Sequence, residues 1–579
     1  MYIQLANLCK RIVCEYYGPI VESVASVLIR DGRLPLSLLI KYTQLSPREV
    51  RQALTVLIQH GIATHAALKD AHRIITYYSI SCRNILRLQR SGLYLALVEE
   101  RMGKDGLSIL RTIMTNGCIS FATVRDLLGF NDMSQPAKIK FNAVVAKLVR
   151  ERFVVAVTLQ DTSTKIDRIM QAEAKELDKM TVPPTAKELL NIRRKIGERE
   201  DEEYNSSTVI GIKRAADSEP NGNHPAKIVI GPDGRSAVIP NGHDATDVAD
   251  AVDDTQCFRV YYDRLDVFLR NQQLINYFAD KYNAGAGAIV KSILRVTEPH
   301  TKTCRNKASD TISASQIFQN LSPDAPIIDS VDTGSDMFYQ KLGDSGVSGT
   351  NGAAHGKDTL SIAKRSEMAF ALLEVVRSDS SGIIVKVDDR GAGQYRVNFE
   401  RAAATLRDYC LDSLIHEKFG SMHSRIVRVL RDRQKLDEKS VSTAAMMPIA
   451  SCRERLHDLV LAGFIDSVEI PRSADRNPSR MFYLWHINPK KQMQTAMRYI
   501  YQSIINVLQR LEKEISSHDL LLTKTKRDDV IADESLLTDA ERKELLELAN
   551  TRKRLEVACV RLDSMLLVIH DVNPEYADA

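Results

Sequence analysis

One arrangement recurs along this chain and limits what it can fold into. An apolar-striped helix stops at or near a glycine, and a short alternating strand, a polar turn and a return strand follow. Residues 54–65, LTVLIQHGIATH, hold the first instance. Val50, Leu54, Leu57 and Ile58 recur at helical spacing on one face, and Ser46-Pro47 supplies an N-cap and a first-turn proline. The spacing predicts a helix from about Ser46 to His60, with Gly61 in the left-handed position past its end. A short extended run, the polar turn KDAH (69–72) and a second run, RIITYYSIS (73–81), complete the back half of a winged helix.

The same order returns. In RLHDLVLAGFIDSVEI (455–470), Leu456, Leu459 and Val460 form the inward stripe, a glycine ends the helix, and a turn, PRSADRNPSR, leads to the return run MFYLWHI (481–487). Another copy comprises MAFALLEVV (368–376), GIIVKV (382–387), the turn DDRGAG and the return run QYRVNF (394–399). A fourth, KIKFNAVVAKLVRERFVVAVTL (138–159), places Phe141, Val145, Leu148 and Val149 on one face, but a polar stretch follows its strand. That stretch, about 160–255, includes GEREDEEYNSS and SEPNGNHPAK and has little apolar surface to bury. CFRVYY (257–262) then has the alternation of a return strand, so the stretch reads as an insertion in the second wing. The front halves agree: GRLPLSLLIKYT, with Leu36, Leu39 and Ile40, predicts a short helix, and 108–129 and 424–447 repeat the order.

The last ninety or so residues differ. Met493, Met497, Ile500, Ile504, Leu508, Leu511 and Ile515 step by threes and fours, and a second series runs through Leu545, Leu548, Leu555, Cys559, Leu562, Leu566 and Ile569. Two striped helices joined by a charged loop predict an antiparallel coiled-coil hairpin, its stripe buried within the hairpin or against another subunit. The expected fold is therefore mainly α with small β wings: tandem winged helices followed by that hairpin. The expected units are 1–85, 86–160 with its wing completed by 257–262, a charged, mostly disordered insertion at 161–256, 257–400 with a polar loop at 332–357, 401–488, and the hairpin at 489–571.

Composition narrows the function classes. At 44% hydrophobic and 26% charged residues the chain reads as soluble and globular, and no apolar run approaches the ~20 residues of a membrane span. Nine scattered cysteines suggest neither a disulfide framework nor a zinc site, and reduced, mostly buried thiols are expected. Charge is uneven: residues 1–160 hold 21 Lys and Arg against 11 Asp and Glu, a net of +10, which leaves −5 for the rest. Such a basic end suits a polyanion. Enzyme signatures are missing: GTNGAAHGKDT shares only its GK pair with a P-loop, and HEKFGSMH lacks the spacing of a zinc helix. NAGAGAIV has no dinucleotide-binding context, so no cofactor, no metal and no catalytic residue is expected.

The run LCKRIVCEYYGPIVESVASVLIRDGRLPLSLLIKYTQLSPREVRQALTVLIQH, the four winged-helix patterns, the interrupted middle and the terminal hairpin together resemble the RNA polymerase III subunit family that anchors the initiation heterotrimer. That family is related to the alpha subunit of TFIIE, although this chain lacks the CxxC pairs of the zinc ribbon. The resemblance implies a non-catalytic nuclear subunit that joins two specific partners, sits on the clamp of the largest subunit and assists promoter opening at genes for small RNAs such as tRNA and 5S rRNA.

The residues themselves nominate contacts. Arg48, Arg51 and Gln52, with Thr55 and Gln59, lie opposite the apolar stripe of the first recognition-type helix and suit phosphate contacts with some capacity for base edges. Lys140, Lys147 and Arg150 on the second such helix, and Arg472, Arg476 and Arg480 in the fourth wing, add charge rather than sequence reading. The fourth helix alternates Arg453 and Arg455 with Glu454 and Asp458, and is read as meeting protein. Met497, Ile500, Ile504, Leu508, Leu511, Leu555, Leu562 and Leu566 are the partner-interface residues expected of the hairpin. DNA binding is expected to be weak and nonspecific in isolation. The alternative is a free, sequence-specific winged-helix regulator.

Overall fold

A computed structural model describes residues 2–70, 73–129, 135–177, 185–205, 212–213, 227–230, 236–239, 251–252, 256–301, 303–304, 306–322, 325, 327, 355–390, 393–471, 481–532 and 537–572. The chain divides into two compact units, Ala6–Leu265 and Asp266–Ala579, the second including a few N-terminal residues. The fold is mainly helical. Among the described residues, four three-stranded antiparallel sheets share one plan: a two-residue strand before a short helix pairs with the return strand, which also pairs with the outgoing wing strand.

In the first winged helix, Pro19–Asp31 and Leu36–Thr43 precede Pro47–Gln59, the reading helix, and strands Ala63–Asp70 and Arg73–Ile80 form the wing in unbroken register from Ala63↔Ile80 to Asp70↔Arg73. Ser46 caps the reading helix through a reciprocal capping box with Glu49. At the other end Gly61, at φ +67°, donates to Ile58 O, while Ile62 donates to Leu57 O. That bond pair is the Schellman stop, which favours glycine because the conformation is left-handed. The stop recurs after reading helix Ile449–Ala462, where Gly463 (φ +83°) and Phe464 make the equivalent bonds to Val460 O and Leu459 O. After Gln135–Arg150, the second reading helix, it recurs with Arg152 at φ +61°: Arg152 bonds Val149 O and Phe153 bonds Leu148 O.

In the second winged helix, Val154–Ala156 leaves along the sheet and Cys257–Val260 returns, paired with Val154–Ala156 on one side and with Ile119–Ser120 on the other. Between them lies the inserted stretch, of which 178–184, 206–211, 214–226, 231–235, 240–250 and 253–255 are outside the described residues. Lys165–Leu177 and Ala186–Asn205 are helices that pack on each other, not a disordered stretch. Ile166, Ile169, Met170 and Leu177 fall at helical spacing that the charged composition concealed; Ile196 from the second helix is buried, whereas Ile166 and Met170 are exposed.

The third reading helix is longer than its apolar stripe indicated, running His355–Arg377 and so including the end of the expected polar loop; the rest of that loop lies outside the described residues. Phe278, Ile289, Ile293, Leu373, Tyr395 and Phe399 build its core. The fourth winged helix comprises Ser421–Arg433, Glu438–Ala445, Ile449–Ala462 and wing strands Asp466–Pro471 and Met481–His486. Beyond it, Pro489–Ser517 and Asp539–Leu566 pack along each other and are joined through two short helices, Asp519–Thr525 and Asp528–Ala532. All nine cysteines are free thiols, but only Cys9, Cys304 and Cys452 are buried, and Cys14 and Cys257 are exposed, so general burial does not hold. No described helix is long and apolar enough to cross a membrane.

Candidate nucleic-acid interface

The first reading helix separates its faces cleanly. Val50, Ala53, Leu54 and Leu57 are buried, and Arg48, Arg51, Gln52 and Thr55 are exposed at i, i+3, i+4 and i+7. Neither guanidinium has a side-chain partner among the described residues, and the Thr55 hydroxyl donates back to Arg51 O at 2.9 Å. The one acid in the first turn is committed: the hydroxyl and backbone of Ser46 hold the Glu49 carboxyl below its ordinary range as it closes the capping box. The exposed face therefore carries two uncompensated cations and one amide, which suits phosphate contact with limited base reading.

Gln59, expected on that same face, is engaged elsewhere. Its amide donates to Asn116 O at 2.7 Å, at the end of helix Ser91–Asn116 in the second winged helix. Gly117, at φ +76°, follows, and a Cβ there would stand 2.6 Å from Gln59 O, so only glycine permits this approach. His60, alongside, packs against Tyr17 with the rings tilted and their centroids 4.8 Å apart, and burial pulls its pKa below the usual value. The C-terminal end of the first reading helix is thus a junction between two winged helices, and its N-terminal half is the free face. Sequence spacing placed Gln59 on the face but carried no signal for a neighbour 57 residues away.

The second reading helix buries Phe141, Val145, Leu148 and Val149 and exposes Lys140, Lys147 and Arg150. Lys140 is paired with Asp105 at 2.7 Å, although both are largely solvated. Such an exposed pair contributes little to stability. Lys147 has no partner among the described residues. Arg472, Arg476 and Arg480 lie outside the described residues.

The later reading helices have a different surface. On His355–Arg377, Phe370 and Val375 are exposed and Arg377 pairs with Glu374 at 2.6 Å. On Ile449–Ala462, Leu461 is 73% exposed, Arg453 pairs with Glu438 at 2.9 Å and His423 reaches Asp458 at 3.5 Å. Neutralised cations beside exposed apolar side chains suit a protein surface more than a phosphate backbone.

The expected partner-interface residues of the terminal hairpin divide into two sets. Met497, Ile500, Ile504 and Leu566 are buried within the chain itself. Leu508, Leu511, Leu555 and Leu562 are half-buried. The base of the hairpin packs on folded neighbours. Tyr499 stacks on Phe464 of the fourth winged helix at 5.8 Å, Thr495 donates to Gly463 O, and Leu567 and Val572 cluster with Ala403. At the far end Lys524 pairs with Glu541 at 2.7 Å and His518 with Glu544 at 3.4 Å.

Serial winged helices, two with basic exposed faces and two whose cations are paired beside exposed apolar side chains, define a tandem winged-helix protein. The comparisons with known proteins agree on one family. A model of RNA polymerase III subunit RPC82 matches residues 143–428, one of the helix-turn-helix domain of the same subunit matches 7–67, and one of the POLR3C C-terminal winged-helix domain matches 411–487. The chain is 26% identical to the DNA-directed RNA polymerase III subunit RPC3 of Danio rerio, over 96% of this chain and 94% of that protein. It is 25% identical to RPC-3 of Coccidioides immitis, over 98% of this chain and 99% of that protein. For RPC3 of Homo sapiens the identity is 25%, over 95% of this chain and 92% of that protein. The chain belongs to the RPC82/RPC3 family of RNA polymerase III subunits.

Proposed function

We propose that this chain is a non-catalytic, nuclear subunit of RNA polymerase III that serves as a scaffold of its initiation subcomplex. The observation that carries the reading is the end-to-end likeness to RPC3 subunits, over 95–98% of the chain in vertebrate and fungal relatives. The alternative of a free regulator finds no support among these relatives. In the fuller reading the chain joins two specific heterotrimer partners, rests on the clamp of the largest subunit and helps open promoters of tRNA and 5S rRNA genes.

The surface chemistry supports a division of labour within that role. Arg48, Arg51, Lys147 and Arg150 hold DNA through phosphates, with Gln52 the one side chain suited to a base edge. The third and fourth winged helices face protein. Contacts of this kind release counterions, so binding by the isolated chain is weak, indifferent to sequence and steeply salt-dependent.

The test is purification of the tagged full-length protein from native extract at moderate salt, with co-purifying chains identified by mass. A complete polymerase with two smaller specific partners is the expected result. Recovery of the chain alone, with tight binding to a single DNA sequence, overturns the reading.

A further inference from the structure

Two of the free thiols, 73 residues apart in sequence, meet in the first winged helix. Cys9 sits on helix Tyr2–Tyr17 and is fully buried, as are Leu8, Ile12 and Val13 near it in sequence. Cys82 follows the return strand Arg73–Ile80 after one intervening residue and is half-buried. The Cys9 thiol lies within hydrogen-bonding reach of the Cys82 sulfur and, at 4.0 Å, of the Cys82 backbone oxygen. No third His, Cys, Asp or Glu joins the pair as a metal-holding group among the described residues.

The two sulfurs are unequal. The hydrogen bond from Cys9 holds the Cys82 thiol below its ordinary value, against the burial that would raise it. That same bond, together with burial, pushes Cys9 well above the ordinary value. Cys82 is therefore the sulfur that ionises, and Cys9 the one that keeps its proton. Other cysteines move the opposite way from Cys82: burial pushes Cys118 up to about 11, Cys410 up to about 12, and raises Cys452 as well. A partly exposed thiolate beside a buried thiol is the arrangement in which the first sulfur is oxidised and the second resolves it.

The pair also sits at a joint. Beside Cys82, Ser81 donates its backbone N–H to Ile62 O at 2.9 Å and Asn84 donates its amide to Gly61 O at 2.7 Å, both at the glycine stop of the first reading helix. On the helix that carries Cys9, the Tyr16 hydroxyl donates to Leu88 O at 3.0 Å. A bond between the two sulfurs would fasten the N-terminal helix to the base of the reading helix.

We propose that Cys82 and Cys9 form a peroxide-responsive dithiol that closes to a disulfide. The Cys82 thiolate attacks one oxygen of hydrogen peroxide, the O–O bond breaks, and Cys82 becomes a sulfenic acid as hydroxide leaves. The Cys9 sulfur then attacks Cys82, the S–O bond breaks, and the Cys9 proton departs with the hydroxyl group as water. The two sulfurs together lose two electrons and the peroxide gains them; a dithiol reductant reverses the change. The chemistry lies within this chain and does not depend on the polymerase reading.

The test treats reduced, purified full-length protein with hydrogen peroxide and maps its thiols by differential alkylation and mass spectrometry. The Cys9–Cys82 cross-linked peptide should form about tenfold faster than exposed Cys14, on the same helix as Cys9, is oxidised, and dithiothreitol should remove it. The bridged protein should melt about 5 °C or more above the reduced one, because the bond constrains a long loop of the unfolded chain. In Cys9→Ser the sulfenic acid is left unresolved, so dimedone should label Cys82; in Cys82→Ser, Cys9 should stay unmodified at the same dose. No bridge in the wild-type chain, oxidation led by Cys14 or Cys257, or dimedone on Cys9 in place of Cys82 overturns the proposal. Recovery of the chain without polymerase subunits from native extract overturns the polymerase reading and leaves the dithiol standing.

Discussion

Reading helices Pro47–Gln59 and Ile449–Ala462 share a scaffold and differ in what they leave exposed. Both follow a short helix and end in the same Schellman bonds around a left-handed glycine, and both bury a leucine stripe, Leu54 and Leu57 in one and Leu456 and Leu459 in the other. Yet Arg48 and Arg51 are unopposed, whereas Arg453 is spent on Glu438 and Leu461 stands in solvent. The core of a winged helix therefore says nothing about its partner. What decides is whether exposed cations are already paired and whether apolar side chains remain uncovered.

The shared scaffold is tested by the largest effect. Leu57→Ala and Leu456→Ala each remove a fully buried side chain and should each destabilise the unit by about 2–5 kcal/mol in denaturant titrations. A cost in one helix and none in the other breaks the structural equivalence.

The contrast in surface is tested next. Double substitution Arg48→Ala/Arg51→Ala should weaken DNA binding uniformly across sequences and reduce the slope of log K against log salt by about 2. Arg453→Ala should leave both unchanged. Equal losses from the two helices would show that pairing with Glu438 does not decide the partner.

A smaller effect separates the two glycine stops. Ala at Gly61 incurs the left-handed penalty alone, about 1 kcal/mol, because nothing lies within 4 Å of a Cβ there. Ala at Gly463 also meets Thr495 Oγ1 at 3.1 Å, so its melting temperature should fall further. The ordering of the two melts is the readout.

The smallest effect concerns the hairpin tip. The Lys524 ammonium and the Thr538 cap hold the Glu541 carboxyl down at about 2. A depressed carboxyl stabilises above its ordinary value of 4.5, and that contribution is lost as pH falls from there towards 2. Amide exchange at the start of Asp539–Leu566 should accelerate over that window, and Glu541→Gln should flatten the dependence.

Local features were legible in the sequence because their causes lie within a turn or two. Ser46-Pro47, with Glu49 three residues after the cap, gives the start of the first reading helix, and Gly61 gives its end. The left-handed Arg152 has no such signal: the chain makes the same stop there without the residue that favours it. Lys165–Leu177 was hidden for the opposite reason, since a charged composition masked a narrow apolar stripe. Arg48, Arg51 and Gln52 stand on the exposed face that their spacing gave them, but Gln59 does not stand free, because Asn116 takes its amide.

By itself the sequence determined the Ser46 cap, the glycine stops, the apolar face of each reading helix and the basic balance of the first 160 residues. Those properties depend on contacts between residues three to five apart and on composition. Only the tertiary structure decided that Lys140 faces Asp105 and Arg453 faces Glu438, and that Met497, Ile500 and Ile504 are consumed inside the chain. The partner in each case comes from a distant part of the chain, and burial or charge pairing is a property of the pair that no single segment specifies.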